Sequence, residues 1–367
     1  MTAHSTAAPL PYTPDIEVIA DDEAALTREI VETMAASSRC AFERHRHAIR
    51  DAHAKSNGLI TGELTIHADL PAELRQGVFA QPRTYAVVAR LSSAPSDIHS
   101  DAIPAARGFA LKIIGVDGER LSPAIEGHNQ DFLMVNFPAL AFGTIPKYQR
   151  MLALLEANAH APDTFQRLVA GTAHGAKQLV EALGGTAGAT LDGLARDNHH
   201  PLGETYHTQA AIRYGDYIAK LSLHPASDSV RSLTGLPLED VQYASLRDAI
   251  SAHFARDGAE YTLCAQLCTD LDTMPVEDAA IAWPAPLSPH RPIATLRFGP
   301  QATAHPARQV YGDDVLSFNP WNGVVAHQPL GGIMRIRRAA YERSAAFRHA
   351  MNARPRIEPT HASDIPD

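Results

Sequence analysis

Arg337 and Tyr341 form a pair whose residue types and spacing could do chemistry. They lie four residues apart, so on a helix both side chains project from one face. A guanidinium beside a phenol favours the phenolate, and a phenolate is a hard oxygen ligand suited to ferric iron. Taken alone, such a pair on a basic helix is also typical of a surface cation–π or packing contact. The pair therefore needs support from the rest of the sequence.

Seven further segments contain residues of the kinds that active sites use. They are 50–58 (RDAHAKSNG), 90–92 (RLS), 107–112 (RGFALK), 127–132 (GHNQDF), 266–270 (QLCTD), 281–284 (IAWP) and 318–320 (FNP). The first is followed directly by the strand-like run 59–66. Each segment is a weak signal alone, and their value lies in their order and their gaps.

In this order, the segments resemble the haem core of the catalase family. Residues 50–58 resemble its R-x-x-H-A-K-x-x-G, and residues 90–92 and 107–112 resemble its R-F-S and R-G-F-A-x-K. The W-P and F-x-P landmarks are matched at 281–284 and 318–320, and Arg337 to Tyr341 match R-x-x-x-Y. The resemblance runs from about residue 40 to 350, and the chain looks most like the compact catalase-related peroxidases.

The resemblance implies a distal catalytic pair. His53 matches the histidine above the iron, where a neutral imidazole takes a proton from hydrogen peroxide and returns it to the departing oxygen. Ser92 matches the serine that hydrogen-bonds this histidine and fixes its orientation.

The resemblance also implies a haem b cofactor, iron protoporphyrin IX. Arg50 and Arg90 match arginines that hold the haem propionates through charge-assisted contacts. Tyr341 matches the proximal iron ligand, and Arg337 would keep it anionic. Tyrosine is already known as the haem ligand of catalase, so the match at Tyr341 is not evidence independent of the family resemblance.

One segment departs from the family pattern. The family has G-N-N-T-P, with its first asparagine as distal partner of the histidine, whereas here Gly127 is followed by His128 and then Asn129. Either His128 occupies that position, or a one-residue shift lets Asn129 serve; such a shift turns a strand's side chains to the opposite face. Dismutation of two peroxides needs the second peroxide well positioned, so the departure favours peroxidase turnover over efficient catalase activity.

Other clusters have simpler interpretations. The histidines of 45–47 and 199–200 lack a second ligand pair at zinc-like spacing, so we expect solvated residues. Cys264 and Cys268 lie on a predicted strand about 13 Å apart, too far to share an ion or a disulfide. The glycine-rich 184–188 lacks the Lys-Ser/Thr of a phosphate loop, which favours a flexible turn.

Periodicity predicts the elements that must position these residues. Helices are expected over 21–50, 147–155, 163–183 and 333–351, with one more between 235 and 258. Strands are expected over 59–66, 84–92, 108–116, 132–136, 212–223, 261–271 and 293–298.

These elements predict an α+β fold. Four strands without long intervening helices suggest an antiparallel sheet or barrel, and the resemblance implies a β-barrel haem core with flanking helices. The haem would lie between the barrel and the Tyr341 helix. We expect an N-terminal arm (1–20), one catalase-like domain (21–352) and a C-terminal tail (353–367).

Composition excludes several classes of protein. A net charge of -9 argues against a general nucleic-acid binder, and 45% hydrophobic with 20% charged residues excludes global disorder. Three cysteines cannot form a disulfide framework. No signal peptide or membrane-spanning stretch is visible, so we expect a cytoplasmic protein that acts without a membrane.

Three functions compete. The first is a haem peroxidase that reduces hydrogen peroxide or organic hydroperoxides with an organic electron donor, with weak catalase activity. The second is a fatty-acid hydroperoxide isomerase or dehydratase on the same haem fold. The third is a non-enzymatic haem-binding protein. Such a protein would not need functional residues on both faces of the haem, so the presence of both sets speaks against it. The resemblance also implies a homo-oligomer, in the simplest case a dimer.

Overall fold

A closed antiparallel β-barrel forms the centre of the molecule. We describe a computed structural model, which covers residues 8–157 and 198–367 apart from residues 95, 104, 123, 124 and 126. Among these residues, eight strands close the barrel and a ninth pairs with one of them. The strands are β1 Lys55–Ile66, β2 Thr84–Ser93, β3 Arg107–Ile114, β4 Asn129–Val135, β5 Tyr206–His207, β6 Ile212–Tyr214, β7 Tyr217–Pro225, β8 Ala259–Leu267 and β9 Arg291–Phe298.

The barrel closes through its shortest strand. β1 pairs with β2 and β9, and the antiparallel ladder continues on one side to β4 and on the other to β7. β5 joins the two sides, because Val135 pairs with His207 on one edge and His207 with Ser222 on the other. Among the strands, β6 pairs with β7, and its Ile212 also forms an isolated bridge with Pro329. Closure of this kind removes the unpaired edges that an open sheet would expose.

Alternation along the strands places a large aromatic core inside the barrel. On β8, Tyr261, Leu263 and Ala265 point inward and are fully buried. Their partners in the core include Phe109 and Phe298, which pack edge-on against Tyr261. Side chains at the intervening positions point out of the barrel. Flanking segments cover some of them, such as Gln266, whereas Glu63 and Arg297 are exposed.

The helices pack outside the barrel. They are α1 Glu23–His45, α2 Ile145–Ala157, α3 Ser245–Phe254 and α4 Gly332–Met351, with shorter turns at Asp228–Arg231 and Pro306–Val310. A shared apolar cluster that includes Ile30, Ile145 and Ile336 joins α1, α2 and α4. In the described part of the chain, no helix combines the length and apolar character needed to cross a bilayer.

The predicted elements are found where the structure describes them, with shifted ends. The predicted strand 212–223 is divided by a turn at Gly215, whose φ of 63° suits glycine. The predicted strand 261–271 ends at Leu267. β5 was missed, since two residues carry no periodicity. The predicted helix 163–183 and the glycine-rich 184–188 lie outside the described residues.

The described parts of the two terminal segments, residues 8–20 and 353–367, pack against the barrel. In the arm, the backbone N–H of Leu10 donates to the Cys268 carbonyl. In the tail, Glu358 pairs with the fully buried Lys112 at 2.7 Å, and Ile365 joins an apolar cluster with Leu316 and Phe318. The segment 353–367 is therefore part of the packed structure.

Candidate active site

A cavity of about 750 Å³ lies between the outer face of the barrel and α4. That volume includes space open to solvent. Arginines, one histidine and one tyrosine converge on it from different elements. Its lining residues are Arg50, Asp51, Ala52, His53, Arg90, Ser92, Gly108, Phe109, Ala110, Leu133, Met134, Val135, Thr208, Gln209, Ser317, Phe318, Arg337, Tyr341, Ser344, Ala345 and Arg348.

His53 is held on the barrel wall by its backbone and by Ser92. Its φ of 53° is left-handed, a conformation that is uncommon for non-glycine residues. The His53 backbone N–H donates to the Ala94 carbonyl, and ring Nδ1 lies 3.1 Å from Ser92 Oγ in a hydrogen bond. Because Nδ1 is engaged by Ser92, Nε2 is the ring nitrogen left to act on a substrate.

The His53 ring is neutral at physiological pH. Burial, and to a smaller extent the positive charges of Arg90, Arg337 and Arg50, together lower the pKa of His53 to about 3. A neutral imidazole can accept a proton, whereas an imidazolium cannot. The environment therefore keeps His53 in its proton-accepting form.

Arg337 and Tyr341 meet on the opposite side of the cavity, as the sequence predicted. Both lie on α4, and Arg337 donates to the Tyr341 phenol oxygen at 2.7 Å. A second guanidinium nitrogen of Arg337 lies 3.4 Å from Met334 Sδ. The donated hydrogen bond stabilises negative charge on the phenol oxygen, which is what an anionic metal ligand requires.

Three arginines crowd one end of the cavity around a single carboxylate. Arg50 and Arg90 both contact Asp313 Oδ1, at 3.1 and 3.2 Å, and Arg348 donates to the Asp313 carbonyl at 2.5 Å. Asp313 lies in a π-helical turn, Tyr311–Val315. Burial and the neighbouring cations lower the pKa of Arg50 and of Arg348. Positive charge exceeds negative here, so this end suits an anionic group.

The two candidates for a distal partner lie away from His53. His128 is exposed, and neither it nor Asn129 lines the cavity. The Asn129 amide donates instead to Glu358 Oε2 and the Pro359 carbonyl, both at 3.0 Å. Asn129 is six residues from Val135 along β4, about 20 Å at roughly 3.3 Å per residue. The strand register instead puts Val135 beside Gly108, on the cavity wall where His128 or Asn129 was expected.

The sequence reasoning missed several lining residues. Arg348 is seven residues beyond Tyr341, on the same helix face, and this spacing could have revealed it. Asp51 lies two residues before His53; burial raises the pKa of Asp51, and the Ser344 side chain opposes that change. Gln209 offered no sequence signal, because its φ of 62° and its place in the cavity depend on the closure of the barrel.

The remaining clusters show no metal site among the described residues. His45 and His47 contact Asp97 and Asp314. His200 is buried, contrary to the expectation of a solvated loop, and its ring accepts from the Leu202 N–H. Cys264 and Cys268 are free and buried, as expected.

Comparison with solved structures finds catalases. Catalase A from Saccharomyces cerevisiae is 14% identical, with a TM-score of 0.56, over 88% of this chain and 67% of that one. A fungal catalase is 15% identical, with a TM-score of 0.56, over 88% of this chain and 65% of that one. A bacterial catalase is 17% identical, with a TM-score of 0.53, over 97% of this chain and 67% of that one. No family model and no curated protein matches the sequence. The closed barrel with its flanking helices is a catalase-like fold, and the chain spans about two thirds of those catalases' length.

Proposed function

We propose that the protein is a haem-dependent peroxidase that reduces hydrogen peroxide or organic hydroperoxides with electrons from an organic donor. One observation carries the proposal: a neutral, serine-anchored His53 and an arginine-paired Tyr341 line the same cavity. A proton acceptor on one face of a haem and an axial ligand on the other, which is a tyrosine in catalase, are groups with which a haem can react with peroxide.

The residues of the cavity fit a haem. Arg90 Nε and Arg348 Nε are buried without a hydrogen-bond partner in the described structure, and together with Arg50 they could hold the propionates. Tyr341 would ligate the iron, and Arg337 would keep its oxygen ionised. When bound, the haem would supply redox-active iron for cleaving the peroxide O–O bond.

The chain's own residues would move one proton. His53 Nε2 would take the proton of the hydroperoxyl group and hold it until the O–O bond breaks. It would then return that proton to the departing oxygen, which leaves as water or as an alcohol. Ser92, bound to Nδ1, would keep the ring oriented through both transfers.

A second function uses the same site. Isomerisation or dehydration of a fatty-acid hydroperoxide needs no electron donor, and the apolar lining residues Ala110, Leu133 and Val135 favour a lipid substrate. Product analysis separates the two functions. Reduction gives an alcohol and oxidised donor, whereas rearrangement gives an isomer or a dehydrated product without donor oxidation.

Two variants test the proposal on the full chain supplied with haem. His53→Ala should keep the haem absorption spectrum and lose peroxide turnover by roughly 2–4 orders of magnitude, because acid–base catalysis is lost. Tyr341→Phe should lose the haem or change its spectrum grossly, because the ligand oxygen is missing. Visible spectra and stopped-flow turnover measure both effects.

The matched control for the histidine is His305→Ala. His305 is exposed and makes no side-chain cap hydrogen bond, so this variant should behave as the parent. Peroxide turnover by His53→Ala at the parent rate would contradict the proposed role. A haem spectrum with no peroxide reaction in the parent protein would support a haem carrier instead.

A further inference from the structure

Three histidines cluster on the outer face of the barrel, apart from the candidate active site. His207 lies on β5, His224 on β7 and His290 directly before β9. His207 pairs with Ser222 across β5 and β7, and His224 is two residues further along β7, so these side chains share one face of the sheet. Leu223, between them, lies in the barrel core. All three histidines are half-buried, and none of them lines the cavity.

The three rings are spaced almost as the ligands of one metal ion are. Their centroids lie 5.5 Å apart for His224 and His290, 5.9 Å for His207 and His290, and 6.4 Å for His207 and His224. Two histidines that hold a tetrahedral zinc ion at about 2.0–2.1 Å have ring centroids about 5.2 Å apart. The observed triangle is wider than that by about 0.3–1.2 Å per side, a difference that rotation of the side chains can remove.

Two of the ring nitrogens already converge on a single atom. Ser222 Oγ lies 2.9 Å from His224 Nε2 and 2.8 Å from His290 Nδ1. As the side chains stand, no three ligands in the described part of the chain are placed to hold a metal ion. At this cluster the Ser222 hydroxyl occupies the point of convergence. Rotation of Ser222 about its Cα–Cβ bond would free that point and leave both nitrogens directed at it.

The charge state of the cluster suits a metal that binds imidazole. Burial lowers the pKa of His207 to about 3 and of His224 to about 4, and it also lowers that of His290, so all three rings are neutral, as metal ligands must be. Burial also lowers the pKa of Lys220, the nearby cation, to about 7. Among the described residues, no carboxylate shifts the pKa of these rings. Imidazoles without carboxylates suit zinc, copper or nickel, whereas magnesium and calcium need oxygen ligands.

We infer that His207, His224 and His290 bind a divalent transition-metal ion of the zinc class, at a site separate from the proposed haem site. His224 Nε2 and His290 Nδ1 exchange the Ser222 hydroxyl for the metal, and His207 supplies the third nitrogen. A water molecule completes the tetrahedron. The ion ties the short strand β5 to β7 and to the start of β9, so it stabilises the barrel where the barrel closes.

The test titrates zinc chloride calorimetrically into the full chain after a chelator has removed bound metal. We expect one tight site in the parent. His224→Ala and His290→Ala should each weaken it at least about tenfold, since loss even of a residue that supports a ligand costs about 10–100-fold in affinity. The matched control is His67→Ala, because His67 is also half-buried and its ring bonds one hydroxyl, that of Thr295, at 3.0 Å. This control should bind zinc as the parent does, and magnesium chloride should bind to none of the proteins at this site.

Ser222→Ala distinguishes a metal site from a cluster that only forms hydrogen bonds. This variant lacks the hydroxyl that competes for two nitrogens, so it should bind zinc at least as tightly as the parent. Zinc should also raise the thermal unfolding midpoint of the parent and of Ser222→Ala, but not that of either histidine variant, as measured by circular dichroism.

His290→Gln, which keeps a polar side chain of similar length, replaces an alanine variant that does not fold. Three results would each overturn the inference. They are the lack of a tight zinc site in the parent, parent-like zinc affinity in both histidine variants, and equally tight binding of magnesium.

Discussion

Gly108 shows how one missing side chain shapes the candidate site. A Cβ at this position would lie 2.5 Å from His53 Nδ1 and 2.6 Å from Ser92 Oγ, closer than real atoms approach. The absence of a side chain thus lets the imidazole and the hydroxyl meet over β3. The sequence motif at 107–112 contains this glycine. Only the pairing register of the strands shows why a glycine is needed at this position.

Gly108→Ala should separate His53 from Ser92. Because Nδ1 would lose the partner that orients the ring, we expect peroxide turnover to fall by about 10–100-fold while haem is retained. Steady-state kinetics and the visible spectrum check both expectations. Gly299→Ala is the control, since a Cβ there meets nothing within 4 Å. Parent-like kinetics of Gly108→Ala would show that Ser92 does not orient the ring.

At the scale of elements, β3, β4 and the tail share a buried ionic cluster. Lys112 Nζ lies 2.7 Å from both Asp131 Oδ1 and Glu358 Oε2, and all three side chains are inaccessible or nearly so. Burial raises the pKa of Asp131, and Lys112 lowers that of Glu358 against the effect of burial. The same Glu358 accepts from Asn129. This cluster fixes the end of β4 far from the cavity.

Lys112→Met should destabilise the fold strongly. It leaves the buried Asp131 without its cation beside Glu358, which keeps, among the described residues, only the 3.5 Å ion pair with Arg356. Breaking a buried pair in this way costs about 3–5 kcal/mol. Urea denaturation measures the loss. As a control, Lys147→Met removes a half-buried lysine whose contact with Asp278 spans 3.9 Å, and it should change stability by less than about 0.5 kcal/mol. A similar small change for Lys112→Met would contradict this account of the cluster.

At the scale of the whole molecule, buried neutral histidines make the fold sensitive to acid. Burial lowers the pKa of six histidines to about 3 or 4, namely His53, His200, His207, His224, His327 and His349. An unfolded histidine titrates near pH 6.5. Between about pH 6.5 and 3 the unfolded chain therefore binds protons that the folded chain does not. The free energy of unfolding consequently decreases as the pH is lowered through this range. The raised pKa values of Asp51 and Asp131 have the opposite effect on stability. Since these are two groups and the histidines are six, the histidines dominate.

We therefore expect the urea midpoint to fall steadily as the pH is lowered from 7 to 4. His327 is fully enclosed, and its Nε2 accepts from the Val78 N–H, so His327→Gln should reduce the steepness of this fall. Midpoints measured by circular dichroism at half-unit pH intervals check both statements. A midpoint that stays constant from pH 7 to 5 would contradict them.

The local features of this protein follow from its amino-acid sequence alone. The spacing of Arg337 and Tyr341 places them on one helix face, and alternation marks the long strands, because helix and strand geometry depend on neighbours in the chain. The ordered motifs also selected His53, Ser92, Arg50 and Arg90, which the structure brings to one cavity.

The residues that lie beside His53 depend on how the strands pair in the folded protein. The register of β3 with β4 places Val135 next to Gly108, and the tail holds Asn129 at the other end of the strand. The two-residue strand β5 closes the barrel and brings Thr208 and Gln209 to the cavity. These outcomes depend on contacts between residues far apart in the chain, whose pairing no local pattern of residue types encodes.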